Sequence, residues 1–139
     1  MKIYRTIDHT ADIGILVWGK DLKSLFINAA KAMFDQMARL SKSAPKTPKR
    51  NLNIDLVAEN SEDLLVRWLS ELLSLCDCED AIFTEFKITQ LTAVHLKAVV
   101  HGIPRKNFTF KTEIKAVTYH HLKILQDAKR YSAQVIFDV

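Results

Sequence analysis

Glycine is scarce, with three in 139 residues. A phosphate-cradling loop needs several within a few positions, and Gly14, Gly19 and Gly102 are too scattered to build one. The two cysteines, Cys76 and Cys78, stand one residue apart. That spacing excludes an ordinary bridge between distant elements, and tetrahedral zinc would want a second pair that the chain lacks. Reduced thiols at a helix end, in a cytoplasmic setting, are the expectation. No signal-peptide pattern is read at the start. No apolar run approaches the roughly 20 residues that cross a bilayer, so no membrane contact is expected. A nucleophile elbow and a zinc-protease helix are also missing, and no serine has a supporting context. The sequence does not advertise a catalyst.

What is present describes an ordinary globular protein of one domain, residues 1–139. Hydrophobic residues make up 48% and charged residues 26%, with a mean hydropathy of −0.02. The formal net charge of +4 permits an acidic or nucleic-acid partner without demanding one.

Along the chain, Met1 to Ile7 reads as a strand and residues 8–12 as a loop. Ile13 to Trp18 reads as a second strand, buried on both faces. Asp21 is a good N-cap. From Leu22 through Leu25, Phe26, Ala29, Met33 and Met37 to Leu40, apolar residues recur every three or four positions and predict a helix. Ser41 to Arg50 is a loop with two prolines and four basic residues. Asn51 to Val57 alternates as a half-exposed strand. Asn60 or Ser61 caps a second helix whose buried face runs from Leu64 to Leu75, with Arg67 and Glu71 spaced to pair outside. Phe83–Thr89, Val94–His101, Glu113–Tyr119, Leu122–Gln126 and Tyr131–Phe137 follow as strands, with a break over Gly102–Asn107. Asp127–Arg130 is a hairpin turn. The order predicts an α+β domain with two helices packed on one face of a mostly antiparallel sheet.

The chemistry-bearing residues gather at the two ends of the sequence. Asp8, His9, Thr10 and Asp12 fall within five positions, and Asp138 and the Val139 carboxylate close the chain. If the first and last strands are neighbours, these carboxylates converge. Converging anions in a partly desolvated place repel and must protonate or bind a cation. An all-oxygen set selects a hard divalent ion: Mg²⁺, Ca²⁺ or Mn²⁺. Lys115, on a strand nearby, offers a positive partner. The plainer alternative is an Asx-turn at Asp8 or Asp12 and a fraying Asp138.

Several runs resemble one family. Asp8-His9-Thr10-Ala11-Asp12-Ile13-Gly14, continuing to Trp18-Gly19, resembles the opening motif of the archeases. Leu25-Phe26, Asn28-Ala29-Ala30 and Ala32-Met33-Phe34 are similar to its first helix, and Leu64 to Leu73 to its second. Glu113 to His120 resembles its late strand, and Phe137-Asp138-Val139 its ending. The resemblance implies an SHS2-like module with extra strands. It also implies a non-catalytic activator of the RNA-splicing ligase RtcB in tRNA splicing and RNA repair, promoting ligase guanylation and multiple turnover. It carries over a divalent metal, commonly calcium, with Asp12, Asp138 and Val139 as ligands. Asp8, His9, Thr10, Lys115, Thr118 and His120 would surround that pocket. RNA would be touched indirectly or weakly, and a homo-oligomer stays open. Cys76-Asp77-Cys78 and the Gly102–Thr112 segment depart from the family pattern. Two rival readings use the same residues differently: a small metal-dependent phosphoesterase, and an RNA-binding module working through the basic loop 41–50.

Overall fold

The computed structural model describes residues 2–8, 12–45 and 50–139, with Asp8 described in its backbone only. Ten strands and two α-helices follow in the order β1 (Tyr4–Asp8), β2 (Asp12–Gly19), α1 (Leu22–Met37), β3 (Ala38–Leu40), β4 (Arg50–Val57), α2 (Ser61–Glu79), β5 (Ala81–Leu91), β6 (His95–Pro104), β7 (Phe108–Phe110), β8 (Ala116–Val117), β9 (Ile124–Gln126) and β10 (Tyr131–Asp138). A single 3₁₀ turn, Arg105–Asn107, joins β6 to β7. Every strand pairing is antiparallel.

The α+β class is the one expected, but the sheet is divided into three. One sheet runs β1-β2-β10-β8, with β9 also pairing to β10; a second runs β4-β6-β5; a third joins β3 to β7. The last strand is therefore interior. β10 pairs with β2 along its whole length on one side, and on the other with β9 at its start and β8 at its end. Helix α1 packs on β2, β10 and β5, while α2 packs on β4, β5 and β8. The two helices thus fill the space that both larger sheets close.

Local chemistry explains the helix starts. The Asp21 carboxylate accepts from Ser24 N at 2.7 Å, and the Asn60 side chain accepts from Asp63 N at 2.8 Å, each satisfying a donor that the first turn cannot pair. Gly19 makes the entry to α1 tight enough. A Cβ there would stand 2.3 Å from Leu25 N and 2.7 Å from its Cα, so only glycine lets β2 turn directly into the helix.

The core is apolar and aromatic. Trp68, Phe26, Phe83 and Phe137 are fully buried. The Trp68 indole N–H donates to the Phe26 carbonyl at 2.9 Å, tying α2 to α1. The Trp68 ring meets Phe86 edge-on at 6.1 Å, and Phe34 stacks on Phe86 at 6.1 Å, geometries that the ring quadrupole favours.

Four expectations are corrected. The helical stripe does not reach Leu40: α1 ends at Met37, and Ala38–Leu40 leaves to pair with Phe108–Phe110. Gly102–Pro104 is not a break, because Ala81–Phe83 of β5 keeps pairing with it. Glu113–Tyr119 pairs as a strand only over Ala116–Val117. On α2, Arg67 pairs with Asp63 at 3.0 Å rather than with Glu71.

Candidate functional site

Asp12 is the first residue of β2 rather than part of a loop, and Asp138 is the last of β10. The two are direct cross-strand partners, the terminal pair of the β2–β10 ladder. Residues directly opposite share a face, with Cβ atoms about 5 Å apart. The first and last strands, whose adjacency was the condition for convergence, do not pair with each other. β2 lies between β1 and β10, and Asp8 is opposite Ile13. The two ends of the chain nevertheless meet at this corner through the second strand. Asp12 is half-buried and Asp138 exposed, with Val139 half-buried beside it.

The other flank is formed by residues 115–118. The Lys115 N–H donates to the Asp138 carbonyl at 2.7 Å, which sets Ala116 opposite Asp138. The Lys115 side chain is exposed. Thr118 gives both its N–H and its hydroxyl to the Ile136 carbonyl, each at 3.0 Å, and its hydroxyl accepts from His120 N at 3.3 Å. Thr118 is thus occupied in fastening this segment to β10. The exposed His120 ring lies 4.1 Å from the ring of His121, whose φ of 54° is left-handed. The structure therefore brings Asp12, Asp138, Val139 and Lys115 to one corner and makes Thr118 their support. His9, Thr10 and the Asp8 side chain lie outside the described residues, as do Lys46 and Lys49 of the basic loop.

A tie not anticipated from the sequence holds this flank to α2. The Tyr119 hydroxyl donates to Asp63 Oδ1 at 2.6 Å, and Ile124 N donates to Glu62 Oε2 at 3.1 Å. Asp63 also accepts from Glu59 N at 3.1 Å and from the Arg67 guanidinium. Its place three residues after the Asn60 cap was the available signal, since such a position reaches back over the helix start. The Tyr119 hydroxyl, then Glu59 N–H and Arg67, hold the Asp63 carboxyl below its ordinary value of 3.8, and the carboxylate in turn raises the Tyr119 phenol above 10.0. The signs bracket a window. The carboxylate's contribution is present above its unfolded value and is lost as pH falls through its depressed folded value; the phenol's is present below 10.0 and lost as pH rises past that. In an NMR titration the Asp63 midpoint is expected below 3.8, moving up toward that value in Tyr119→Phe. An unchanged midpoint in the variant would remove Tyr119 as the main cause.

This corner holds two carboxylates of like charge and main-chain oxygens, with the backbone of Lys115 bonded to Asp138. Oxygen donors of this kind fit a hard divalent cation. Among the described residues no group of three or more His, Cys, Asp or Glu side chains gathers at a metal-binding distance, so further oxygens would come from the main chain or water.

Comparison with known proteins sets this corner in context. The sequence profile of the archease protein family matches residues 4–139. The chain is 37% identical to protein archease of Methanosarcina barkeri over 99% of this chain and 97% of that one. It is 34% identical to protein archease of Sulfolobus acidocaldarius, covering both chains fully. The solution structure of Methanobacterium thermoautotrophicum protein 1598 superposes with a TM-score of 0.81 at 31% identity over all of both chains. A crystal structure of a Thermotoga maritima archease, described as a possible chaperone, superposes with a TM-score of 0.68 over 100% of this chain and 99% of that one; at 23% identity it bears on the fold alone. The chain belongs to the archease family.

Proposed function

We propose that this archease works on a partner protein, the RNA-splicing ligase RtcB, promoting its guanylation and repeated turnover through a divalent-metal pocket at the Asp12–Asp138 corner. The supporting observation is the register that sets Asp12 opposite Asp138. Like charges directly opposite on a sheet repel, and a divalent cation relieves that repulsion. Asp12, Asp138 and the main-chain oxygens of Val139 would hold the ion, Mg²⁺, Ca²⁺ or Mn²⁺, with Lys115 beside it. When bound, the ion supplies positive charge for phosphate oxygens brought by the partner.

The chain's own residues do the positioning. Residues 115–118 fasten the β8 flank against β10, so that Lys115 and Asp138 are presented together. The Tyr119–Asp63 bond anchors the same flank to α2. An activator of this kind must bind one state of the ligase more tightly than the other, and a corner fixed on a rigid sheet suits that task. The setting is cytoplasmic, and no helix among the described residues is long and apolar enough to cross a membrane.

The test is a guanylation assay with the ligase of the same cell. The expected result is a faster approach to the guanylated ligase and more than one ligation per ligase molecule when this protein is added. No stimulation by the folded protein would overturn the proposal. Metal-dependent phosphoester hydrolysis by this protein alone would favour the phosphoesterase reading instead.

A further inference from the structure

A cleft of about 680 Å³ opens between the C-terminal half of α2 and residues 110–117. Three cations line it, Arg105, Lys111 and Lys115, against two carboxylates, Asp77 and Glu113. Asp77 is already engaged: its Oδ1 accepts from Arg105 Nη1 at 3.1 Å. That ion pair steadies the guanidinium over the Phe110 ring, 4.5 Å from its centroid. It takes one of the five guanidinium donors, and the others stay available.

The two lysines are set at separate stations. Lys111 N donates to the Met37 carbonyl at 2.8 Å, and Lys115 N to the Asp138 carbonyl at 2.7 Å. The backbone is thus pinned at two places while both side chains are exposed. The chain between them spans at most about 14 Å, so both lysines line the cleft from one segment, with Glu113 between them in sequence. Opposite, Ser70 and Ser74 lie one helical turn apart on α2 and offer hydroxyls. Phe110, beside Lys111, is 41% exposed, among the few large apolar side chains left open on the surface.

We propose that this cleft binds a single strand of nucleic acid, with successive phosphates on Arg105, Lys111 and Lys115 and a base against Phe110. A cationic groove with an exposed aromatic is the combination that such strands use, since every base has a face to stack. A duplex hides those faces, and an acidic peptide has no use for the aromatic. The proposal shares Lys115 with the corner described above but needs neither the ligase nor a metal.

Binding of a fluorescent oligouridylate of roughly ten nucleotides, followed by anisotropy in a chelator-containing buffer, tests it. Saturable binding is expected at about 50 mM salt, weakening with a log–log slope of about −2, from roughly 0.7 per phosphate contact on a single strand. Lys111→Glu should weaken binding by about tenfold or more and flatten the slope. Phe110→Leu should weaken it roughly tenfold and leave the slope unchanged, because stacking is lost and charge is not. Joint Lys46→Glu and Lys49→Glu reversal in the loop should leave binding as it was. Three results would overturn the proposal: no binding at low salt; loss in the loop variant but not in Lys111→Glu; or polyglutamate binding with the same Lys111 and Phe110 dependence, which would assign the cleft to acidic protein segments. A failed guanylation assay alongside intact oligonucleotide binding would leave the cleft assignment standing.

Discussion

Trp68→Ala should cost about 3–5 kcal/mol, a large part of the stability of a domain whose whole margin is about 5–15 kcal/mol. Trp68 is fully buried and contacts both helices' side of the core. Its loss opens a void beneath Phe86, whose ring it meets edge-on, and cuts the indole bond to the Phe26 carbonyl. The void cannot collapse easily, because β5 on one side and α1 on the other are held by their own pairings. Trp68→Phe separates the two contributions. It keeps most of the volume and loses the N–H, so it should fall well short of the alanine cost, near the roughly 0.5–1.5 kcal/mol of one hydrogen bond plus a smaller packing loss. Urea denaturation midpoints measure both. An alanine variant within about 1 kcal/mol of wild type would show that the helix pair does not depend on this ring.

The second large effect is a reversal of sign at the proposed metal corner. Without divalent ions, Asp138→Ala removes half of a like-charged cross-strand pair and should equal or slightly exceed wild type in stability, by about 0.2–1 kcal/mol. Asp12→Ala also gives up the other interactions of a half-buried side chain and should fall at or below wild type. With Ca²⁺, Mg²⁺ or Mn²⁺ added, wild type should gain about 2.7 kcal/mol at a free concentration one hundred times Kd, while the variants gain nothing. The order of melting temperatures of wild type and Asp138→Ala therefore crosses as ion is added. The same two variants should lose the stimulation of ligase guanylation. Ion-induced stabilisation that survives in both would place the cation elsewhere.

Much of this was legible in the sequence where local chemistry decides. Asp21 and Asn60 announce their helices because an N-cap acts within three residues, and the apolar spacing of α1 and α2 marks the faces they bury. The misses occur where a distant partner decides. Ala38-Arg39-Leu40 continues the helical spacing, yet the chain leaves α1 because Phe108–Phe110 is there to pair with it. Nothing local to Gly102–Pro104 reveals that Ala81–Phe83 runs beside it. Glu113–Tyr119 is strand-like along its length, but β10 ends at Asp138, opposite Ala116, and past Thr118 the chain turns away, with Tyr119 bonded to Asp63 on α2. The candidate site divides the same way. The acidic residues at both ends were visible as composition and motif, and their convergence was conditional until the β2–β10 register was known. Asp63 was hidden because its partner Tyr119 is an exposed aromatic on a loop that no local pattern connects to α2.

The interior position of β10 has a kinetic consequence. Both of its edges are filled by segments that precede it, and its pairing with β2 closes nearly the whole chain into one loop. Non-local pairing of that kind is the slow step in folding, since the loop entropy is lost before the contacts form. The five-stranded sheet must wait, with β2 and β8 exposing unpaired edges, until residues 131–138 arrive. A slip of one residue on arrival would turn Phe137 outward and Asp138 inward. The Asp12–Asp138 corner thus exists only when β10 has paired with β2 in the right register. A partner that recognises this corner would engage finished molecules alone and ignore nascent ones.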